Sequence, residues 1–383
     1  MYKSPVGYRR FNPHEHFNFQ LNRWLPFLQE NDLISVGAKI NTIEQWNSAM
    51  LSMAEEKERF GHDAEAAFYY RAAEFFLHHQ DPLKAQCYEK FIALFDSAYG
   101  HLSYERHLVP FAGAQLPAIV IEAEAEGEVT DTLVVHGGFD SFMEELLMQI
   151  MPAQTQGMRV IVFEGPGQGA ALKKYGLSMP YDWERPVAAV LDHFSIDSCT
   201  LLGISLGGYL ATRAAAFEPR IKRVIADDVL EDFYGCLEKR FGAVKSAILG
   251  ILMRLKMKPV LNAMMSAAAK RDVITRWALE HGQYVSGVDS PYEYLKWAQS
   301  LNTREISKHL TQDYLLLAGR SDHLVPLEQF FSQAQRLKNV KSFTGRIFSD
   351  EEDAGSHCHV GNNMLAVEII KSWMDTMAKR DAQ

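Results

Sequence analysis

The sequence has few cysteines and no long run of basic residues, and both shortages limit what the protein can be. Its four cysteines, Cys87, Cys199, Cys236 and Cys358, are widely separated, so they form no zinc-type pairs. This usage indicates a reduced, cytoplasmic protein rather than a disulfide framework. The formal net charge of −9 argues against nucleic acid and against an anionic membrane surface as partners.

The sequence also lacks a long uninterrupted hydrophobic run. The most apolar stretch, residues 247–269, is broken by Arg254, Lys256, Lys258 and Pro259, so a membrane-spanning helix is not expected there. Polar residues follow the first five, and no signal-peptide pattern is visible. We therefore expect a cytoplasmic protein without a membrane partner. The sequence allows a homodimer but does not fix the oligomeric state.

The first 102 residues have a helical character. Residues 1–40 are rich in aromatic side chains but show no clear pattern, so we expect irregular structure there. Three capping signatures then predict three helices: Thr42 with Gln45, Asp63, and Asp81 followed by Pro82. We therefore interpret residues 1–102 as an N-terminal helical segment.

Two later blocks, residues 103–229 and 305–383, alternate short apolar strands with helices. This alternation predicts an α/β fold with a mostly parallel sheet covered on both faces. The predicted strands are residues 104–109, 116–122, 132–135, 159–163, 199–204, 223–226, 314–318 and 342–348. Between the two blocks, residues 230–304 show no strand pattern and are rich in Met and Leu. We interpret this insertion as a helical cap that roofs a substrate pocket.

One stretch carries a specific chemical signal. Gly203-Ile204-Ser205-Leu206-Gly207 has the G-x-S-x-G spacing of a nucleophile elbow and lies between a predicted strand and a predicted helix. Such a turn exposes the serine hydroxyl and places the next backbone N–H at a helix N-terminus, where negative charge is stabilised. A chance glycine-rich turn also fits the motif alone, so the interpretation depends on partner residues downstream.

The partners that a nucleophilic serine needs are present in the expected order. A serine hydroxyl requires a base, and the base requires an orienting carboxylate. Asp322 follows a buried strand and is the candidate carboxylate, although a helix N-cap before Pro326 is the plainer alternative. His357 and His359 both follow the last predicted strand. Either could be the base, because spacing alone does not separate them.

The oxyanion hole is expected on the loop His136-Gly137-Gly138-Phe139-Asp140, which follows a predicted strand. Its two glycines allow backbone N–H groups to approach a substrate oxygen closely. The predicted donors are the amides of Phe139 and Leu206. We expect His136 to pack the loop rather than take part in chemistry.

Two further patterns are too weak to predict a cofactor. His14 and His16 form an H-x-H pair without a further ligand cluster, so a metal site is not expected there. Gly165-Pro166-Gly167-Gln168-Gly169 follows a strand, but its spacing differs from the dinucleotide fingerprint. A loop bordering the active site explains this second pattern better. The sequence therefore predicts neither a metal nor an organic cofactor.

Four motifs together resemble one group within the α/β-hydrolase superfamily. They are His136-Gly-Gly-Phe-Asp-Ser-x-x-Glu-Glu145, Phe163-Glu-Gly-Pro-Gly-Gln-Gly169, Gly203-x-Ser-Leu-Gly-Gly208 and Ser356-His-Cys358. The group includes FrsA-like esterases, fungal polyketide-shortening hydrolases and bacterial pseudooxynicotine hydrolases, and the resemblance covers roughly residues 40–380. It implies an α/β-hydrolase fold. Glu164 departs from the aspartate usual before Gly-Pro-Gly in this group.

The resemblance also sharpens the expected chemistry. Its His-Cys motif places the base at His357, and several members cleave a carbon–carbon bond beside a ketone. Asp140 occupies the position of an assisting acidic residue in the pseudooxynicotine hydrolases. Apolar surroundings would raise its pKa and make it an acid, whereas a cap on a helix beginning at Ser141 is the plainer role.

We therefore expect a serine hydrolase that acts on an acyl bond of an apolar, partly aromatic, ketone-bearing small molecule. A carboxylesterase or thioesterase is the first alternative. A catalytically idle binding protein on the same fold is the second, and the complete Ser-Asp-His set argues against it.

Overall fold

The computed structural model describes residues 4–123, 129 and 131–383, and a single eight-stranded sheet organises them. The strand order is β1-β2-β4-β3-β5-β6-β7-β8. β1 pairs antiparallel with β2, and β2 pairs antiparallel with β4, whereas all later pairs are parallel. The strands are β1 (Glu105–Phe111), β2 (Ala114–Ile121), β3 (Asp131–His136), β4 (Met158–Phe163), β5 (Cys199–Ile204), β6 (Ile221–Asp227), β7 (Asp313–Gly319) and β8 (Ser342–Phe348).

The central strands are apolar almost throughout because helices cover both faces of the sheet. The flanking helices of this part are α6 (Met143–Ile150), α7 (Gly169–Lys173), α8 (Glu184–His193), α9 (Gly207–Ala215), α15 (Glu328–Arg336) and α16 (Asn363–Asp381). The predicted mostly parallel sheet covered by helices is confirmed. α6 ends at Ile150, where a 3-10 turn over Met151–Ala153 follows it.

The register of the parallel strands brings their carboxyl ends to one edge of the sheet. His136 at the end of β3 pairs with Gly203, and Ile204 at the end of β5 pairs with Asp227. The loops after β3, β5, β6 and β7 therefore leave the sheet side by side. Residues far apart in the sequence meet at this edge, where ligands bind in open α/β sheets.

The N-terminal segment contains five helices and packs against one face of the sheet. They are α1 (Glu15–Trp24), α2 (Glu30–Gly37), α3 (Ile43–Arg59), α4 (Asp63–Phe75) and α5 (Pro82–Tyr99). Trp46 and Phe68 share a continuous apolar core with Leu133 and Val135 of β3. The expectation of irregular structure before residue 40 is wrong, because α1 and α2 lie there.

The capping signatures of this segment differ in outcome. The Thr42 side chain accepts a hydrogen bond from the Gln45 amide at 3.2 Å, and Asp81 accepts one from the Leu83 amide at 2.9 Å. Asp63 is the first residue of α4 rather than its cap. Its carboxylate still lies in the first helical turn, where negative charge is favourable.

Five helices separate β6 from β7 and form the inserted cap. They are α10 (Phe233–Phe241), α11 (Ala243–Arg254), α12 (Lys258–Arg271), α13 (Val273–Ser286) and α14 (Pro291–Ser300). An antiparallel bridge between Asp232 and Asn302 joins the two ends of the insertion. None of the helices within the described residues combines the length and the apolar character needed to cross a bilayer.

Candidate active site

The turn between β5 and α9 holds Ser205 in a conformation that side chains rarely adopt. Its φ is 61°, and its amide donates to the Asp227 carbonyl oxygen at 2.6 Å. A Cβ at Gly203 would overlap the Gly207 carbonyl oxygen, and one at Gly208 would overlap that of Asp228. Only glycine fits these two positions, so the G-x-S-x-G-G pattern encodes a tight, strained turn that presents the Ser205 hydroxyl.

The Ser205 hydroxyl contacts an imidazole that is itself held by a carboxylate. Ser205 Oγ lies 2.8 Å from His357 Nε2, and His357 Nδ1 lies 2.7 Å from Asp322 Oδ2. The other Asp322 oxygen accepts hydrogen bonds from the Leu324 and Val325 amides. Asp322 therefore stabilises its own loop, and the same carboxylate also orients His357. The plainer alternative, a helix N-cap, is wrong. α15 begins only at Glu328, so Asp322 is not its N-cap.

A second carboxylate, Asp228, also lies beside His357, and the sequence analysis missed it. Asp228 Oδ2 is 3.0 Å from His357 Nδ1 and accepts a hydrogen bond from the Cys358 amide at 2.7 Å. Asp228 follows the end of β6 directly. The rule that selected Asp322, a carboxylate just past a buried strand, would have selected this residue as well.

His359 lies next to this group but not next to Ser205. Its Nε2 is 2.8 Å from Asp227 Oδ1, and its Nδ1 is 3.0 Å from the Ala354 carbonyl oxygen. The ring is fully buried. Its two nitrogens are thus occupied by protein groups, and the imidazole in contact with Ser205 is that of His357.

Both imidazoles have raised pKa values because carboxylates surround them. Burial alone would lower the pKa of His357, but Asp322 above all, together with Cys358 and Asp228, raises it well above its ordinary value. Burial would likewise lower the pKa of His359, but Asp227 and Asp228 raise it to about 9. In return, the imidazoles outweigh the effect of burial on Asp228 and hold its pKa below the usual value.

The loop after β3 packs directly against the elbow. A Cβ on Gly138 would lie 2.5 Å from the Leu206 nitrogen. Gln168 Nε2 donates to the carbonyl oxygens of Gly137 and Gly138 at 2.6 and 3.0 Å. Within the part of the chain that the structure describes, neither the Phe139 amide nor the Leu206 amide donates to a protein acceptor. Both N–H groups therefore remain available to a ligand.

The motif around Gln168 and the buried His136 both support this loop. His136 is fully buried, accepts a hydrogen bond from the Trp183 indole at 3.3 Å, and has its Nδ1 near the Gly137 carbonyl oxygen. Burial lowers the pKa of His136 to about 4, so its ring is neutral near pH 7. Gln168 belongs to the glycine-rich stretch that follows β4, and this stretch reaches the loop after β3 through the Gln168 side chain. Its last glycine, Gly169, begins α7.

Asp140 does not have the apolar surroundings that an acidic role would require. Arg23 of α1 donates to Asp140 Oδ1 at 3.0 Å and to Glu145 Oε2 at 2.8 Å. Burial by itself would raise the pKa of Asp140, but Arg23 outweighs it and holds the pKa below its ordinary value. Asp140 is therefore a carboxylate near neutral pH. The plainer role is also wrong, because α6 begins at Met143 rather than at Ser141.

A cavity of about 520 Å³ opens beside Ser205 and His357. Its walls come from three parts of the chain that are distant in sequence. α1 contributes Phe19 and Arg23, the loop after β3 contributes Phe139 and Asp140, and the cap contributes Phe233, Leu237, Ile274, Trp277 and Tyr294. The cap thus roofs the cavity through aromatic and branched side chains. The methionines that make the cap sequence Met-rich, Met253, Met257, Met264 and Met265, are not among the lining residues.

Two groups of side chains have donor atoms close enough to surround an ion. They are Asp228 with His357 and Cys358, and Asp227 with Asp228 and His359. The raised pKa of His359 already places a positive charge between the carboxylates of the second group. His357 shares its Nδ1 proton with Asp322 in the first. Neither group, within the described residues, includes His14 or His16.

Known proteins with similar sequences and folds agree with this architecture. A hydrolase from Aspergillus aculeatus, AcrC, is 28% identical over 77% of this chain and 80% of its own length. The 20-hydroxy-prefusarin hydrolase FUS2 of Gibberella moniliformis is 28% identical over 75% of this chain and 78% of its own length.

A solved structure shows the same fold. The crystal structure of 2,6-dihydroxy-pseudo-oxynicotine hydrolase superposes with a TM-score of 0.64 at 22% identity, over 92% of this chain and 94% of that one. The model of the alpha/beta hydrolase family matches residues 132–367, which include the elbow, Asp322 and His357. The chain therefore belongs to the alpha/beta hydrolase family, and it is a hydrolase.

Proposed function

We propose that this hydrolase cleaves an acyl bond of an apolar small molecule with Ser205 as the nucleophile. The observation that carries the proposal is the hydrogen-bonded chain from Ser205 Oγ through His357 to Asp322. Ser205 Oγ attacks the substrate carbonyl carbon, and His357 Nε2 accepts the hydroxyl proton. Asp322 holds the Nδ1–H tautomer and stabilises the imidazolium that forms.

The intermediate after this attack carries a negative charge on the former carbonyl oxygen. The amides of Phe139 and Leu206 support its stabilisation, since neither donates to an acceptor among the described residues and both lie where the loop meets the elbow. Collapse breaks the bond to the leaving group, which takes the proton from His357. Water then attacks the acyl–Ser205 ester with His357 again acting as the base, and the carboxylic acid is released.

We propose a carbon–carbon bond beside a ketone as the scissile bond. The electron pair of that bond moves into the neighbouring carbonyl group, so the leaving group departs as an enolate and receives its proton from the His357 imidazolium. Asp140 is ionised and does not supply this proton. The Arg23 guanidinium lies in the same cavity wall, and its positive charge favours an anionic leaving group. The relative FUS2, named for a hydroxylated natural product, supports a substrate of the polyketide type.

An ester or thioester substrate is the second candidate, and the ionised state of Asp140 favours it. The leaving oxygen or sulfur of such a substrate needs no acid besides His357. A cavity of about 520 Å³ also accepts small apolar esters. Both candidate reactions use the same catalytic residues, and they differ only in how much they depend on Arg23. Assays with different substrates, rather than the geometry of the site, therefore distinguish them.

Covalent labelling with a fluorophosphonate reagent tests the nucleophile. Wild-type protein should be labelled. Ser205→Ala should not be labelled, and its turnover should be at least about 10³-fold lower. Ser141→Ala removes another cavity hydroxyl that does not contact His357, and it should keep the label. Labelling that survives Ser205→Ala would contradict the proposal. A folded wild-type protein that neither reacts nor turns over any acyl substrate would instead be an idle binder.

A pair of matched substrates tests the bond. The protein should hydrolyse an aryl β-diketone, and Arg23→Met should reduce that activity more than hydrolysis of an activated ester with the same acyl group. Turnover of the ester without measurable cleavage of the diketone would contradict the carbon–carbon proposal. The protein would then be an esterase or thioesterase.

A further inference from the structure

The outer face of the cap carries a continuous apolar stripe. Val244, Ile248, Ile251 and Leu255 follow one face of α11 at spacings of four, three and four residues, and they are 75%, 45%, 57% and 63% exposed. Met257 and Val260 extend the stripe beyond the end of α11. A row of large exposed side chains is unusual, because soluble proteins seldom leave contiguous apolar patches uncovered.

The opposite face of α11 is already buried. Leu249, Leu252 and Met253 pack into the cap core. The helix is therefore apolar on both sides, and only one side has a protein partner within the described residues. A helix of this kind is expected to bury its second side as well. The apolar stripe is thus a surface built to be covered.

Basic residues surround the stripe, although the protein as a whole is acidic. Residues 239–271 contain eight of the 39 lysines and arginines and none of the 48 aspartates and glutamates. Lys245, Arg254 and Lys256 are exposed beside the stripe, and Lys258 is exposed while pairing with Glu293 at 3.1 Å. We call the stripe and these basic side chains the basic apolar face.

We propose that the basic apolar face docks on an anionic lipid surface. Its composition supports a bilayer, since apolar side chains enter the interface while flanking lysines and arginines contact lipid phosphates. A second copy meeting it symmetrically would bring the same basic side chains together, and their repulsion opposes that contact. Nucleic acid offers phosphates but no counterpart for six exposed apolar residues.

The expectation of no membrane partner rested on the net charge of −9. That argument does not apply to the basic apolar face, where the basic residues are concentrated. Exposed charges separated by more than about 8 Å are largely screened at physiological ionic strength. The lipid surface therefore interacts with the local basic residues rather than with the net charge.

The same docking would bring the cap close to a bilayer, in which apolar molecules dissolve. α11 packs against α10, whose Phe233 and Leu237 line the cavity.

Vesicle co-sedimentation of the full chain tests the proposal. The protein should sediment with vesicles of phosphatidylcholine containing phosphatidylserine and remain in solution with phosphatidylcholine alone. Lys245→Glu with Arg254→Glu should weaken sedimentation about 25-fold or more, since each basic residue near the surface contributes roughly fivefold. Ile248→Ser with Ile251→Ser should weaken it as well. Binding to anionic vesicles should also decrease as salt rises.

Matched controls separate docking from folding and catalysis. Phe331→Ser with Lys338→Glu changes an exposed apolar and an exposed basic residue that do not belong to the basic apolar face, and it should sediment like the wild type. Both variants of the basic apolar face should keep hydrolysis of a water-soluble ester. Ser205→Ala should still sediment, so a failure of the proposed chemistry does not affect this result.

Three results would overturn the proposal. The first is the absence of sedimentation with anionic vesicles. That result would be expected if the natural partner of the basic apolar face were an acidic protein instead of a lipid surface. The second is sedimentation that both variants of the basic apolar face leave unchanged. The third is a concentration-dependent dimer, measured by light scattering, that Ile251→Ser dissociates while vesicles bind neither protein.

Discussion

The carboxyl edge of the sheet and the helical walls of the cavity face each other, yet they are built in different ways. At the sheet edge, charged groups are buried and paired, as His357 is with Asp322 and Asp228. The cap wall is mainly aromatic and aliphatic, whereas α1 contributes polar side chains, Arg23 among them, beside Phe19. The difference indicates that the edge determines the chemistry and that the walls determine which molecules reach it.

The edge itself contains two imidazoles with different tasks. His357 contacts Ser205, whereas His359 lies behind it between Asp227 and the Ala354 carbonyl. Three buried carboxylates, those of Asp227, Asp228 and Asp322, surround these two rings. His359 therefore supplies a positive charge to a cluster that would otherwise be strongly anionic. This predicts a catalytic effect for one histidine and a stability effect for the other.

The largest expected effect is the loss of His357. His357→Ala should lower kcat/KM for an activated ester by at least about 10³-fold, because Ser205 loses its base. His359→Gln should retain activity within about tenfold, since its ring does not touch Ser205. Steady-state kinetics on both variants check this. The reverse ranking would place the base at His359.

The two carboxylates on His357 should be unequal. Asp322→Asn should lower kcat/KM by about 10³- to 10⁴-fold, as expected for the carboxylate that fixes the tautomer of a triad histidine. Asp228→Asn should cost about tenfold, because Asp228 Oδ2 lies farther from Nδ1, at 3.0 Å against 2.7 Å, and also accepts from the Cys358 amide. Equal losses would indicate that both carboxylates orient the ring.

The pH profile of Asp228→Asn shows whether Asp228 acts on His357 through its charge or whether its loss only damages the structure. The base must be neutral, so kcat/KM should rise with pH until His357 has lost its proton. The carboxylates raise the pKa of His357, and removal of one negative charge therefore lowers that pKa. The acidic limb of Asp228→Asn should move to lower pH. An unchanged limb together with the tenfold loss would contradict an electrostatic role for Asp228.

The stability effect of His359 should depend on pH. Its pKa is about 9 in the folded protein and about 6.5 when unfolded, so its contribution is complete below pH 6.5 and is lost as pH rises through 9. His359→Gln should lower the free energy of unfolding by about 3 kcal/mol at pH 6. Denaturant titrations of both proteins should show the difference shrinking towards pH 9.5. A constant difference would contradict the charge argument.

The contrast between edge and walls also explains which features the sequence could predict. The elbow and the loop of Phe139 were predictable because tight turns restrict residue types at fixed spacings. Asp322 was predicted from its position after a buried strand, and His357 was separated from His359 only by the resemblance to the hydrolase group. Asp228 was not predicted, although it lies two residues past the predicted strand 223–226. Its contact with His357 depends on the order of strands in the sheet, which local patterns do not contain.

The walls were predicted less well because their residues come together only in the tertiary structure. Phe17, Leu21, Trp24 and Leu28 have the spacing of a helical face, so α1 could have been found. The ion pair between Arg23 on this helix and Asp140 could not have been predicted, because 117 residues separate the two in the sequence. The fate of Asp140 therefore depended on a contact that no local motif encodes.

The smallest expected effect concerns the wall formed by the cap. Leu237 of α10 lines the cavity and is only partly buried, so Leu237→Trp should add bulk without disturbing the core. Val244→Trp places the same side chain on the outer face of the cap and is the matched control. The Leu237 variant should lower kcat/KM about tenfold for an aryl ketone or a long acyl ester, while acetyl esters change little.

The Leu237 comparison sharpens the division between the two regions, because fluorophosphonate labelling reports on the sheet edge alone. A small fluorophosphonate should label Ser205 at the wild-type rate in both tryptophan variants. Slower labelling of Leu237→Trp would mean that the cap also supports the geometry of Ser205 and His357. Equal kcat/KM values for long and short substrates would mean instead that the cavity wall at α10 does not contact the acyl chain, and selectivity would then come from α1 and the loop of Phe139.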